Sequence, residues 1–250
     1  PRRAVLDFIR PILYNERQNW RRLDEYRADY RGRPRHANGT GDSQAVSHRG
    51  GQARDCLYSG GVSEAPGRGC VEGWDSILAA YARQYGITKL RHIIPGGANG
   101  QGSIRNGVFE LEKHYSPDDL VLVHDAIRPM VSQDIISGCI ATAREHGSAI
   151  VTIPCQEAML ETEDQISTHS TYPREKLKRT QTPQGFALGR LADAHRRALE
   201  RGITNSVASC TLMVELGETI YFCAGSEKNI KLTTPDDMEI FKALLQLERR

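Results

Sequence analysis

At 250 residues the chain is long enough for one large domain, or for one domain with an appendage. Apolar residues make up 39% and charged residues 26%, as in ordinary soluble globular proteins. A net charge of +2 is too small to imply nucleic acid or an acidic membrane surface as partner of the whole protein.

No window holds eighteen consecutive apolar residues, which argues against a membrane-spanning helix, and LDFIRPILY is broken by Arg10 and Pro11, which argues against a signal-peptide core. Six scattered cysteines, Cys56, Cys70, Cys139, Cys155, Cys210 and Cys223, form no C-x-x-C pair. They read as reduced thiols of a cytoplasmic protein.

The chain divides near residue 72. Residues 1–71 hold thirteen arginines and no lysine, whereas all seven lysines come later. Within this first part, YRGRPRHANGTGDSQAVSHRGG (residues 30–51) has no apolar rhythm of period 2 or 3.6. Residues 1–71 are therefore expected to be poorly ordered, and residues 72–250 to form the domain.

From Trp74 onward the elements follow one another. Trp74–Tyr85 has helical spacing, with Gly86 as its stop. His92–Pro95 reads as a short strand ending in Gly96-Gly97, and Ser103–Glu112 as a helix with Ile104, Val108 and Leu111 on one face. Leu120–Val123 is a continuous apolar run, suited to a strand buried on both faces of a parallel sheet. A helix over Ser132–His146 and a strand over Ala149–Ile153 follow. The polar stretch Glu157–Arg179 has the length of a lid or an oligomerisation arm. Leu188–Arg201 is amphipathic, with Leu191, Ala194 and Leu199 inward, and Thr219–Cys223 is a strand. The last helix opens at Thr234-Pro235-Asp236-Asp237, where threonine caps, proline takes the first turn and acids meet the positive end. This alternation predicts an α/β fold, a Rossmann-like open and mostly parallel sheet, with ligands beyond the carboxyl ends of the strands.

That edge is where chemistry is sought. Asp125 follows the apolar strand directly and has the oxygens to hold a divalent cation, while Arg128 offers a planar fork to phosphate. The plainer reading, a turn in which Asp125 and Arg128 pair with each other, is equally open. Gly96-Gly97 and Ser103 suit a close backbone approach to a base or phosphate, or else an ordinary glycine turn with Ser103 as a cap. Lys231, in NIKLTT, is placed to neutralise phosphates, or is a surface lysine. His124 reads as structural. An acid that anchors a metal, with cations and glycine turns at the same edge, suits phosphoryl or nucleotidyl transfer.

Four stretches in this order, IIPGGANGQGSIRNGV, LVLVHDAIRP, RTQTPQGF and KNIKLTTPDD, resemble the CTP-dependent cytidylyltransferases that act on polyol phosphates. That family includes the enzymes for 2-C-methyl-D-erythritol 4-phosphate and for D-ribitol 5-phosphate. The resemblance covers roughly residues 72–247. It implies a homodimer that joins CTP to an alditol phosphate with Mg²⁺ and releases pyrophosphate. By position, it implies that Gly96, Gly97 and Ser103 contact the nucleotide and that Asp125 holds the metal. Arg128 then lies near the acceptor phosphate, and Lys231 binds phosphates of the reacting pair. Arg174 and Thr182 fall on a segment that reaches across the dimer to the acceptor, so residues 157–180 become the dimer arm.

The chain departs from the pattern at Gly100, Gly102, Glu157-Ala158 and Asn205-Ser206, which leaves the acceptor open. The largest departure is at the start: the family's glycine-rich loop, LAGGxGxRM…PKQ, is missing. Codons compatible with Tyr30–Gly39, read one base later, permit IAGGRGTRMG, and those of Asp42–Leu57 permit IPKQYLTVGGKPVIVY. Residues 24 to about 70 are thus expected to be an out-of-frame reading of the family's first segment, with little activity in the chain as it stands. A reading from another class makes residues 1–71 an Arg/Gly-rich nucleic-acid-binding arm on an inactive domain. Sparse aromatic interleaving argues against it.

Overall fold

The computed structural model describes residues 79, 80, 83 and 90–248, together with the backbone of residues 43–49 and 52–60. Seven strands form one sheet: β1 (Ser43–Arg49), β2 (Gln52–Gly60), β3 (Leu90–Pro95), β4 (Leu120–Asp125), β5 (Ser148–Pro154), β8 (Lys178–Ala187) and β9 (Phe222–Ala224). Their order is β3-β2-β1-β4-β8-β5-β9, and β6 (Met159–Glu161) and β7 (Ser170–Tyr172) make a separate hairpin. Strands β2, β3, β4, β5 and β9 run one way, while β1 and β8 run the other. The sheet is therefore mostly parallel in direction, as expected of the α/β fold. Its two reversed strands, however, are the two neighbours of β4, so the apolar run Leu120–Val123 is buried as expected but in antiparallel pairing.

Strand β4 shows why the core has two halves. Successive side chains of a strand point to opposite faces. Val121 and Val123 join Phe186, Leu191 and Met213 beneath helices α1 (Gly100–Glu112), α3 (Leu188–Glu200) and α4 (Ser209–Glu215). Leu120 and Leu122 join Ile135, Cys139 and Ala143 of α2 (Gln133–His146) on the other face. Helix α2 begins on the Ser132 hydroxyl, which accepts from the Ile135 amide, and ends at Gly147, whose φ of 77° is the left-handed closure that glycine adopts without strain.

The last helix, α5 (Pro235–Glu248), starts as its sequence predicts. The Thr234 hydroxyl accepts from the Asp237 amide, and the Asp237 carboxylate accepts from the amides of Thr233 and Thr234. Burial opposes ionisation of Asp237, yet these hydrogen bonds outweigh it and hold the carboxyl below its ordinary range.

Several expectations need correction. Helix α1 begins at Gly100, not Ser103, because Asn99 is the cap and accepts from the Gly102 amide. Leu199 is half exposed rather than inward, since Ala198 takes the core position in the last turn of α3. Strand β8, helix α4 and the β6–β7 hairpin have no counterpart in the sequence reading. Of the helix expected over Trp74–Tyr85, only Ala79, Ala80 and Arg83 are described, and all three are helical.

Most of residues 1–71 lie outside the described residues. Where no regular element was expected, β1 and β2 form an antiparallel pair, joined through the register Ser43↔Asp125 to β4 and through Ser59↔Ile94 to β3. The inner position beside β4 is thus filled rather than lost. A buried strand has amide and carbonyl groups on both edges that need partners, and β1 supplies them.

Candidate active site

The carboxyl end of β4 delivers Asp125 to the edge of the sheet. The turn that follows closes when the Arg128 amide donates to the Asp125 carbonyl at 3.0 Å. This folds the Arg128 side chain back, so that its Nε donates to Asp125 Oδ2 at 3.1 Å. The segment after Asn229 is laid alongside, with the Leu232 amide donating to the Ile127 carbonyl at 2.9 Å. That pairing brings Lys231 Nζ to 3.4 Å from the same Oδ2. Two cations therefore share one carboxylate oxygen. Asp125 Oδ1 carries no partner among the described residues.

A layer behind the carboxylate fixes its position. Strand β8 carries two extra residues opposite β5, because Ile150 pairs with Gln184 and Thr152 with Thr180. Such a bulge turns side chains away from the regular ladder. It aims Thr182 at β4, where Thr182 Oγ1 accepts from the Asp125 amide at 3.0 Å. The threonine proton is then free for His124 Nδ1 at 2.9 Å. This leaves the imidazole proton on Nε2, which faces the Arg128 carbonyl at 3.2 Å. Burial pushes His124 down to about 4, against the pull of the neighbouring Asp125 carboxylate, so the ring is neutral at pH 7.

The bulge also aims Gln181 at Ser226 and Asn229. Its Nε2 donates to the Ser226 carbonyl at 2.9 Å, and its Oε1 accepts from the Ser226 amide and from Asn229 Nδ2, both at 3.3 Å. Asn229 Nδ2 also donates to the Thr182 carbonyl at 2.9 Å, while the Asn229 carbonyl accepts from Arg128 Nη1 at 2.7 Å. Gln181 and Asn229 are both buried and were missed as site residues. The signal was present in the sequence: polar amides inside segments that the fold buries.

Asp125, Arg128 and Lys231 thus come together as expected. Thr182, expected on the segment that reaches across the dimer to the acceptor, is instead buried behind Asp125 of its own chain, where the bulge of β8 turns it. Asp125 and Arg128 do pair, but Lys231 joins them, so neither the simple turn nor the surface lysine describes the site. Arg174 does not join them within one chain. It sits on a 3₁₀ turn (Arg174–Lys176), donates to the Gln156 carbonyl at 2.7 Å and lies 3.6 Å from Glu175.

Gly96, Gly97 and Ser103 form a second feature on the same edge. A Cβ at Gly97 would lie 2.4 Å from the Gly102 carbonyl carbon, so only glycine lets this loop rest on the first turn of α1. The Gly97 amide donates to Ser103 Oγ at 2.9 Å, and that hydroxyl donates to the Asn99 carbonyl at 3.0 Å. Ser103 is buried, and its polar atom is spent on the shape of the loop. Gln101 ties the same turn to the loop after α3, donating to the Ile203 carbonyl and accepting from the Ser206 amide. The registers place Asp125, Ser43, Ser59 and Ile94 in one row across the sheet. Three strand spacings separate the two features by about 14 Å, a span comparable to an extended nucleotide.

An Mg²⁺ ion is commonly held by one or two carboxylates, with phosphates and waters completing its shell. The Asp125 Oδ1, unpartnered among the described residues, fits that requirement, since the cations flanking Oδ2 would meet the phosphates. Among the described residues no helix is long and apolar enough to cross a membrane, and Cys139, Cys155, Cys210 and Cys223 are free.

The family described as IspD, 2-C-methyl-D-erythritol 4-phosphate cytidylyltransferase, matches residues 79–247. The chain belongs to that family. A ribitol-5-phosphate cytidylyltransferase of Lacticaseibacillus paracasei is 40% identical over 179 residues, covering 71% of this chain and 76% of its own. A 2-C-methyl-D-erythritol 4-phosphate cytidylyltransferase of Geobacter metallireducens is 37% identical over 164 residues, covering 65% and 69%. Among solved structures, the 2-C-methyl-D-erythritol 4-phosphate cytidylyltransferase of Thermus thermophilus aligns with a TM-score of 0.55 at 28% identity, over 73% of this chain and 79% of that one. The 4-diphosphocytidyl-2C-methyl-D-erythritol synthase of Anaerococcus prevotii, at 22% identity and a TM-score of 0.61 over 71% and 76%, supports the fold alone. The chain is thus similar to enzymes named for both substrate types. An inactive domain bearing a nucleic-acid arm is not favoured.

Proposed function

We propose that this IspD-family domain is built to join CTP to a polyol phosphate, giving a CDP-alditol and pyrophosphate. An oxygen of the acceptor phosphate attacks the α-phosphorus of CTP. The bond from that phosphorus to the bridging β-oxygen breaks, and pyrophosphate leaves with the electron pair. The observation that carries this reading is the sharing of Asp125 Oδ2 by Arg128 and Lys231, with Oδ1 unpartnered among the described residues. The two cations are then placed to balance charge on the phosphates, where positioning and neutralisation do most of the work. Mg²⁺, held by Asp125 Oδ1, would supply further charge neutralisation when bound. The Gly96–Gly97 loop would lie beside the cytidine, and Ser103 holds it in shape.

The acceptor is D-ribitol 5-phosphate or 2-C-methyl-D-erythritol 4-phosphate. A homodimer would bring Arg174 to the neighbouring site. Exposed Met159, Leu160, Ile166 and Tyr172 on the same arm support that role, because apolar side chains clustered on a projecting hairpin favour a partner. Free thiols at four cysteines fit the reducing cytoplasm.

The family's glycine-rich loop supplies backbone N–H groups to the triphosphate, and residues 30–57 do not spell one. Turnover by this chain is therefore expected to be low. The test is pyrophosphate release from CTP with each acceptor, by this chain and by a version with residues 24–70 replaced by the shifted reading. Strong turnover in the second alone supports the proposal. Failure of both with either acceptor contradicts the function, and equal strong turnover contradicts the role given to the loop.

A further inference from the structure

At the other end of the β3–α1 unit, three side chains that the proposed reaction does not use come together. His92 stands on β3, which is the edge strand of the sheet among the described residues. Glu110 is on the last turn of α1, and His114 follows one turn later. One ligand atom from each lies within 4.8 Å of the others. The His92 and His114 rings stack with centroids 4.6 Å apart and planes inclined by 20°. Glu110 Oε1 faces His114 Nε2 at 3.1 Å, while Lys113 Nζ holds Oε2 at 2.7 Å.

We propose that His92, Glu110 and His114 form a binding site for a divalent transition-metal ion of the zinc type, which fastens edge strand β3 to the end of α1. Two imidazoles and one carboxylate, with a fourth position left for water, are a donor set that tetrahedral Zn²⁺ accepts. Donors at about 2.0–2.1 Å from such an ion stand about 3.3 Å apart at the tetrahedral angle. The Glu110–His114 pair is already at that separation, with the ion replacing the proton between them. His92 closes a remaining gap of at most about 1.5 Å by a side-chain rotation that also unstacks its ring from His114, so that both nitrogen lone pairs turn towards the ion. Lys113 keeps the second carboxylate oxygen and orients the first, the kind of outer contact that metal-binding carboxylates use.

The site is separate from Asp125. Glu110 lies seven residues along α1 from Ser103, about 10 Å at the helical rise. Its donors also differ in kind, for nitrogen-rich sets select zinc, nickel or copper, whereas oxygen sets suit magnesium. The fastened segment nonetheless includes both elements that flank the Gly96–Gly97 loop, so the ion would stiffen that loop from behind.

Titration of the full, untagged chain with ZnCl₂, followed by calorimetry and thermal melting, tests the proposal. One tight Zn²⁺ site per chain and a raised melting temperature are expected. His92→Ala, Glu110→Gln and His114→Ala should each weaken that site by at least about tenfold, the lower bound set by losses of outer contacts alone. Asp125→Asn should leave it intact, and MgCl₂ should not compete. A Co²⁺ titration gives a second reading: intense visible absorption from a low-coordinate nitrogen site in the parent chain, lost in His114→Ala. No tight Zn²⁺ site, or an affinity unchanged in all three variants, would overturn the proposal, as would loss of zinc binding in Asp125→Asn alone.

Discussion

Strands β4 and β8 lie side by side in the middle of the sheet, and both are largely buried. Strand β4 is an apolar run with its chemistry at the very end. Strand β8 is Gln-Thr-Pro-Gln-Gly-Phe through its buried part, with its chemistry in the middle. Burial of polar groups is tolerated in β8 because each finds a partner. Thr182 bonds across to the Asp125 amide and His124, and Gln181 bonds to Ser226 and Asn229. One strand holds the domain together, and the other holds the site in register. The comparison teaches that a buried polar strand beside a buried apolar one marks where a fold spends stability on geometry.

Three changes would break or sharpen this contrast. The largest effect is expected at the site itself. In the loop-restored protein, Lys231→Ala should reduce the rate of pyrophosphate release by about two to three orders of magnitude, as removal of a charge-stabilising group commonly does. Its melting temperature should stay close to the parent's, because the Lys231 side chain is partly exposed. A loss confined to KM would show that Lys231 binds ground state and transition state alike.

Acid should act next, through the buried histidines of β4 and α3. Burial lowers His124 to about 4, and burial followed by the charge of Arg105 lowers His195 to about 4. In the unfolded chain each would take a proton near pH 6.5. Their contribution is therefore intact above about pH 6.5, falls as the pH drops towards 4, and changes no further below that. Each histidine sets a limit of roughly 3 kcal/mol over this window. Melting curves from pH 7 to pH 4 should fall steeply, and His195→Leu should flatten the fall. A pH-independent melting temperature would contradict the neutral, buried assignment.

The smallest effect falls on the apolar strand. Val121 is fully buried, and Val121→Ala should cost about 2 kcal/mol of stability, from lost apolar burial together with the cavity left behind. Turnover per folded molecule should be unchanged. A large fall in the rate of the folded enzyme would mean that β4 shapes the site by more than its final residue.

The same contrast explains what was legible in the sequence. An LVLV run cannot be exposed, so β4 and the placement of Asp125 at its end could be read directly, as could the Thr234 cap of α5. Strand β8 could not, because an internal proline and two glutamines argue against a central strand. Pro183 is accommodated at the bulge, where the ladder to β5 is interrupted and no amide is needed. Gln181 and Asn229 escaped notice for a related reason: their partners are 45 to 48 residues away in sequence, and only the fold makes them neighbours. Strands β1 and β2 were invisible because SQAVSHR and QARDCLYSG carry no alternating apolar rhythm, which hides a pairing that the edge of β4 demands.

The most direct test of the phosphate-handling edge is a crystal structure of the loop-restored protein with CTP and Mg²⁺. The account predicts the cation on Asp125 Oδ1, the phosphates between Arg128 and Lys231, and the cytosine beside Gly96 and Gly97. A triphosphate bound away from Asp125 and Lys231 would contradict it.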